Sequence, residues 1–146
     1  VTSGVSKGVH IALATNVLIY FLERHSQVWA AAEKLLEAVA KGSFKGHCSE
    51  LVLLELLSSP HVDRSLEMKI LEFVSQSGLS LQPLNTTVLH LAARLRRANP
   101  ALRTPDALHI ASAIVAGCTQ FVTNDEQLVK QSFKQLEIVS LTNFSL

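Results

Sequence analysis

Three acidic side chains could together perform metal-dependent chemistry. Asp106 opens the segment "DALHIASAIV", Asp125 follows the short apolar run "FVT", and Glu55 lies within "LVLLELLSS". Carboxylates about 4 Å apart repel by about 4 kcal/mol at an effective dielectric of about 20, unless a cation lies among them. Oxygen ligands without a Cys or His cluster suit Mg²⁺ or Mn²⁺ better than Zn²⁺. Such a site commonly activates water for attack on a phosphodiester.

Each acid also has a purely structural explanation. The helix dipole favours Asp106 directly after Thr-Pro, and Asp125 is well placed to cap a short helix. Glu55 is harder to explain in this way, because its apolar surroundings predict a buried helix. A glutamate there must be paired, protonated or bound to a cation. His109 follows Asp106 by about one turn, and we assign it a core or supporting role.

Strands and helices that alternate along the chain must position these acids. The order predicts an α/β fold with a mostly parallel sheet covered by helices on both faces. In such folds, sites form beyond the carboxyl ends of strands, where Ala14 and Asp125 both lie. Thr104 is the expected N-cap of the clearest helix. The strands are predicted at Val9–Leu13, "FKGHCS", "LSLQPL", "TQFVT" and "LEIVSL"; the helices at Asn16–Arg24, Val28–Ala40, "ELVLLELLSS", Asp63–Gln76, "TTVLHLAARLRRA", "RTPDALHIASAIVAGC" and "NDEQLVKQ".

Length and composition predict one globular domain. The chain has 146 residues, 48% of them hydrophobic and 17% charged, which predicts a single domain over 9–146. The small polar segment "TSGVSKG" predicts a flexible leader at 1–8. Cys48 and Cys118 match no metal or redox spacing and are expected to be free thiols. The longest apolar run, Ile11–Leu22, is too short to span a bilayer. We therefore expect a soluble cytoplasmic protein with no membrane partner.

Positive charge is concentrated in one segment, although the net charge is only +1. No acidic residue occurs between Phe73 and Pro105. Four arginines lie within ten positions of this stretch, which indicates either a solvated helix face or a contact with a polyanion such as RNA. These candidate RNA-binding residues are Arg94, Arg96, Arg97 and Arg103.

Four segments in order resemble the PIN-domain family, in particular the VapC-type toxins of bacterial toxin–antitoxin pairs. They are "ATNVLIYFLE", "SELVLLELLSS", "TPDALHIASAIVAGC" and "FVTNDEQL". No single segment is specific, but the four in sequence are. The resemblance implies a three-layer α/β/α sandwich that uses acids to hold Mg²⁺ or Mn²⁺ and hydrolyses RNA. It also implies a homodimer and a cognate antitoxin whose tail covers the acidic pocket.

The resemblance assigns roles to particular positions. The first acid of the family follows strand one as "L-D-T-N", and here that position is Ala14. Asp106 and Asp125 are expected to bind the metal directly, and Glu55 through a water. The remaining motif positions, which are expected to support the site by hydrogen bonding, are Asn16 and Thr123.

The alanine at the first position predicts little or no nuclease activity in an intact fold. We favour an isolated substitution at Ala14, engineered rather than natural, because the flanking sequence fits the family. One alternative is a naturally non-catalytic PIN-like module that binds an antitoxin or RNA. Another is a haloacid-dehalogenase-like phosphohydrolase, which ranks last because Ala14 and Asn16 supply neither of its acids. The apolar helices near Leu18–Leu22 and Leu51–Leu57 are candidates for an antitoxin groove.

Overall fold

The computed structural model describes residues 9–24 and 27–144 as a parallel five-stranded sheet with helices on both faces. This confirms the predicted α/β sandwich, and the predicted leader at 1–8 lies outside the described residues. The strands are β1 (His10–Leu13), β2 (Lys45–Ser49), β3 (Ser80–Gln82), β4 (Gln120–Thr123) and β5 (Glu137–Ser140). The helices are α1 (Thr15–Leu22), α2 (Trp29–Ala40), α3 (Leu51–Leu57), α4 (Arg64–Gln76), α5 (Thr86–Ala98), α6 (Thr104–Val115) and α7 (Glu126–Val129), and a 3-10 turn spans Leu141–Asn143.

The strand order β3-β2-β1-β4-β5 places β1 at the centre of the sheet. The chain extends the sheet to one side through β2 and β3, and later to the other side through β4 and β5. The order therefore reverses between β1 and β4, and ligands bind α/β sheets at such a reversal. Leu13 is in register with Val122, and the Ala14 amide donates to the Val122 carbonyl at 2.9 Å. The residue after β1 thus lies beside the end of β4.

Alternate residues of β1 enter different hydrophobic cores. Ile11 and Leu13 pack into a core that includes residues of α1, α2, α3 and α4. Ala12 and Ala14 face the opposite side, where the core contains Phe121 and residues of α5 and α6. Because strand side chains alternate between faces, three residues of β1 and the residue that follows them join the two helical layers to one sheet.

Two general sequence predictions concern the thiols and the membrane. Cys48 and Cys118 are free thiols, as expected. Both are buried, which raises the pKa of each thiol to about 12. No helix within the described ranges has the length and apolar character needed to cross a membrane.

The prediction that α3 is a buried helix is wrong for its outer face. Val52 and Leu56 are buried, but Leu54 is 65% exposed. The helix packs mainly against α1, α4 and α6, and these neighbours leave its outer face uncovered. An apolar run of seven residues does not reveal how many of its sides have a neighbour.

The predicted N-cap residue is correct for α4 and wrong for α6. The Asp63 carboxylate caps α4 by accepting the Leu66 amide at 2.8 Å, as expected for an Asp cap. The predicted Thr104 cap of α6 is wrong by one residue, since Arg103 is the N-cap and Thr104 is already helical. Pro105, which lacks an amide hydrogen, lies in the first turn, where amides have no helical acceptor. This shift places Arg103 directly at the start of α6.

The Gly46→Ala substitution is expected to destabilise the fold. A β-carbon at Gly46 would lie 2.8 Å from both Leu79 Cδ2 and Val39 Cγ1. Overpacking of this kind costs about 1–3 kcal/mol of unfolding free energy. Urea denaturation measures the loss, with the exposed Ser43→Ala as a control; equal stability of the two variants would contradict the packing described here.

Candidate active site

One cavity of about 230 Å³ lies at the carboxyl ends of β1 and β4. It is the feature expected at the reversal of strand order. Every motif position singled out in the sequence contributes to its wall, although these positions span more than a hundred residues. These positions are Ala14, Asn16, Glu55, Asp106, Thr123 and Asp125, and Arg103 joins them.

Glu55 reaches the cavity from α3 with one carboxylate oxygen fixed by two donors. Its Oε1 accepts a hydrogen bond from Thr15 Oγ1 at 2.6 Å and lies 2.6 Å from His109 Nε2. The hydrogen bond from His109 lowers the pKa of Glu55, and that from Thr15 adds to the effect, while burial opposes it. The glutamate is therefore ionised and paired, one of the three states that the sequence allowed.

His109 is buried on α6, directly behind Glu55. A carboxylate only accepts hydrogen bonds, so Nε2 of His109 must carry the proton. Its Nδ1 has no hydrogen-bond partner within the described parts of the chain. An Nδ1 without a proton leaves only a lone pair unpaired, whereas a protonated Nδ1 would leave a buried N–H donor unpaired. This difference also favours the tautomer with its proton on Nε2. His109 thus lies behind Glu55 and contacts it, in the supporting position expected from the sequence.

Asp106 forms an ion pair that the sequence analysis did not anticipate. Arg103 Nε lies 3.0 Å from Asp106 Oδ2, with the Arg103 side chain 73% exposed and the Asp106 side chain 20% exposed. The hydrogen bond to Asp106 and its charge raise the pKa of Arg103, and the charges of Asp125 and Glu55 raise it further. The guanidinium group thus lies in the field of all three acids.

Asp125 is the N-cap of α7. Its Oδ1 accepts the amides of Gln127 at 2.9 Å and Leu128 at 3.4 Å. This is the structural role considered for Asp125 from the sequence. Because the cap engages only Oδ1, it is compatible with a second function of the same carboxylate at Oδ2.

Asn16 and Thr123 connect the two loops that carry the site. Asn16 Nδ2 donates to Thr123 Oγ1 at 3.1 Å, and its Oδ1 accepts the Asn124 amide at 3.2 Å. Thr123 Oγ1 also accepts the Asp125 amide at 3.1 Å. The two residues therefore fix the segment that carries Asp125 relative to the start of α1.

Ala14, where the sequence analysis expects the first acid of the family to be missing, lies in the wall of the cavity. It is 6% exposed, has an extended backbone, and is the N-cap of α1 without a side-chain hydrogen bond. Its methyl group contributes to the cavity wall but offers no charge and no ligand. An aspartate is compatible with this backbone, because Asp is among the preferred N-cap residues.

The carboxylates have the ligand type that a hard divalent cation prefers, but they do not form a metal site by themselves. Oxygen donors suit Mg²⁺ and Mn²⁺. Each acid has one oxygen engaged: Oε1 of Glu55, Oδ2 of Asp106 and Oδ1 of Asp125. Within residues 9–24 and 27–144, no group of three or more His, Cys, Asp or Glu side chains is arranged to hold a metal ion. The donor chemistry therefore fits such a cation, whereas Ala14 contributes no ligand to the cavity wall.

The four candidate RNA-binding arginines separate into two groups. Only Arg103 lines the acidic cavity. Arg94, Arg96 and Arg97 are exposed on α5, outside the cavity wall, and Arg96 Nε donates to the Leu102 carbonyl at 2.9 Å. That hydrogen bond stabilises the connection between α5 and α6.

Thr15 was not identified from the sequence, although it donates to Glu55. Its position in the stretch "LATNV" offered a signal, since it is a buried polar residue between a strand and a helix that are otherwise apolar. The partner of such a hydroxyl depends on tertiary packing, which brings α3 against α1.

The model of the PIN domain family matches residues 11–134. The chain therefore belongs to the PIN-domain family, which confirms the resemblance found in the sequence. None of the curated proteins compared with the sequence matches it.

Solved toxin–antitoxin structures share the fold. VapBC2 from Rickettsia felis, bound to a DNA fragment from its promoter, matches with a TM-score of 0.72 and 21% identity over 90% of this chain and 98% of the other. DNA-bound VapBC from Salmonella typhimurium gives 0.66 and 16% identity over 91% and 98%. VapBC-5 from Mycobacterium tuberculosis gives 0.58 and 18% identity over 90% and 98%. At these identities the likeness establishes the fold.

Removal of the His109 imidazole is expected to raise the pKa of Glu55. In the present chain this pKa is lowered, so the stability contributed by the Glu55 carboxylate is complete above its ordinary pKa and is lost as the pH falls through the lowered value. In His109→Ala the pKa of Glu55 lies nearer its ordinary value, so this contribution is smaller and its loss is complete at a higher pH. The carboxyl ¹³C shift of Glu55, followed during acid titration, reports the change. The exposed His90→Ala is the control, and an unchanged Glu55 titration in His109→Ala would contradict the pairing.

Proposed function

We propose that this chain is a VapC-type toxin, a metal-dependent endoribonuclease of the bacterial cytoplasm that is inactive because Ala14 replaces an acidic ligand. The observation that carries the proposal is the gathering of Ala14, Glu55, Asp106 and Asp125 around one cavity. Membership of the PIN family and the fold of the VapBC structures support it. The intact set of acids suits hydrolysis of RNA phosphodiester bonds.

With an aspartate at position 14, the ligands of Mg²⁺ or Mn²⁺ would be that residue, Asp106 and Asp125, with Glu55 acting through a water. When bound, such a cation polarises a water molecule and stabilises charge that develops on the scissile phosphate. The protein holds these acids in place beforehand. Thr15 and His109 fix Glu55, while the hydrogen bonds of Asn16 and Thr123 position Asp125.

The partners of the proposed toxin are RNA, a cognate antitoxin and a second copy of the chain. Exposed arginines of α5, together with Arg103, would contact RNA phosphates. Several structural neighbours are toxin–antitoxin complexes. An antitoxin tail with a basic side chain would complement the acidic cavity, and the apolar surfaces of α1 and α3 would receive the rest of that tail.

A non-catalytic PIN-like module is the second candidate function. The ion pair between Arg103 and Asp106 favours it, since a cation supplied by the chain itself already neutralises one acid. In this alternative the cavity binds an antitoxin or RNA without cleavage. The two candidate functions differ in one expectation: an acid at position 14 would create RNA cleavage in the toxin but not in the binding module.

The Ala14→Asp variant is expected to cleave RNA when Mg²⁺ or Mn²⁺ is present, whereas the unchanged chain remains inert. The added carboxylate supplies the missing ligand and negative charge. Gel analysis of a broad panel of single-stranded RNAs, with and without EDTA, measures the cleavage. Loss of an electrostatic catalytic group commonly costs about 10²–10³ in rate, so the difference is large enough to see.

Two controls separate the effect of charge from that of shape. Ala14→Asn introduces the same shape without the charge and is expected to stay inert. The double variant Ala14→Asp, Asp125→Asn is expected to lose the restored activity. If Ala14→Asp folds and binds Mn²⁺ but cleaves no RNA in the panel, the nuclease proposal is contradicted and the binding module replaces it.

A further inference from the structure

A second cavity, of about 430 Å³, adjoins the acidic one. The two share Arg103, Asp106, Asp125 and Leu128, so that the acids form the border between them. A molecule bound at the acidic cavity would therefore extend directly into this neighbour. Its volume is within the range of about 300–1,000 Å³ that small-ligand sites occupy.

The described residues that line only the second cavity are neutral. They consist of Ala101 and the side chains of Gln127 and Gln131. The Gln131 amide oxygen accepts Asn99 Nδ2 at 2.6 Å, which fixes that side chain. The side-chain amide of the exposed Gln127 has no hydrogen-bond partner in the described ranges and is free to contact a ligand.

The charge of this cavity disfavours a phosphate inside it. Asp106 and Asp125 lie on its border, and among the described residues of its wall Arg103 is the one cation. A neutral group with an apolar face and a polar edge fits these walls better. A nucleobase has both properties, since its face packs on apolar side chains and its edge exchanges hydrogen bonds with amides.

Arg103 provides the connection to a phosphate. Its Nε is engaged by Asp106, while the rest of the guanidinium group is largely exposed. A guanidinium has five N–H donors, so four remain for other acceptors. An RNA phosphate that contacts these donors would lie at the border of the two cavities. The nucleoside attached to it would then extend into the second cavity.

We propose that the second cavity is a nucleoside subsite for single-stranded RNA, in which Gln127 contacts the edge of the base. The base belongs to a nucleotide adjacent to the phosphate held at the acids, and in that respect the inference rests on the proposed function. Only an unpaired base enters such a cavity, because bases within an RNA duplex are stacked and their edges are inaccessible.

Binding is tested on the unchanged chain, whose expected inactivity allows the complex to persist. The probes are the four single-stranded RNA homohexamers, a blunt RNA duplex and an arginine-containing peptide, added during NMR titration. At least one hexamer is expected to shift the side-chain amide of Gln127 and the backbone amides of residues 101 and 128, while the duplex shifts none of these. Shifts of these groups by the peptide and by no RNA would overturn the proposal.

A pair of matched variants tests the contact itself. Gln127→Ala is expected to weaken binding of the preferred hexamer about fivefold, as is typical for the loss of one hydrogen bond. Gln76→Ala, an exposed glutamine of α4 outside the cavity, is expected to leave binding unchanged. Equal affinities of the two variants would overturn the proposal.

The Ala14→Asp background separates this inference from the proposed nuclease activity. If that variant cleaves RNA, but adding Gln127→Ala changes neither the nucleotides that flank the cut nor the affinity, the subsite is wrong and the nuclease stands. If Ala14→Asp is inert while Gln127→Ala still weakens RNA binding, the nuclease is wrong and the subsite stands.

Discussion

Repulsion between like charges is the constraint that organises this end of the molecule. Glu55, Asp106 and Asp125 line one small cavity, where each negative charge raises the energy of the other two. The fold balances them locally through the amides at the start of α7, the imidazole of His109 and the guanidinium of Arg103. Each acid thus has a local partner that offsets its charge.

The sheet determines which residues take part in this balance. Because β1 and β4 are parallel neighbours, the residues that follow them meet at one edge. Position 14 is the first beyond β1, and its amide is already hydrogen-bonded to Val122. The side chain at position 14 therefore lies at the edge of the cavity, where this chain has an uncharged methyl group. The second cavity adjoins the acidic cavity at this edge. An RNA strand bound at the acids would therefore extend into the second cavity.

Much of this arrangement was predictable, and the exceptions have physical reasons. The alternation of strands and helices gave the architecture, and Asp63 marked the start of α4 because an N-cap acts on its own first turn. The exposure of Leu54 was not predictable, since burial of a short helix depends on distant neighbours. The pairing of Arg103 with Asp106 was also missed. It depends on where α6 begins, and a shift of one residue changes which side chain lies beside the acid.

The most direct test of the account is Mn²⁺ binding, followed by the loss of the free-ion EPR signal. We predict that Ala14→Asp binds one Mn²⁺ per chain, about tenfold or more tightly than the unchanged chain, because a ligand and its charge are restored. Ala14→Asn should resemble the unchanged chain. Equal affinity in Ala14→Asp and the unchanged chain would contradict the claim that these acids form a cation site that lacks one ligand.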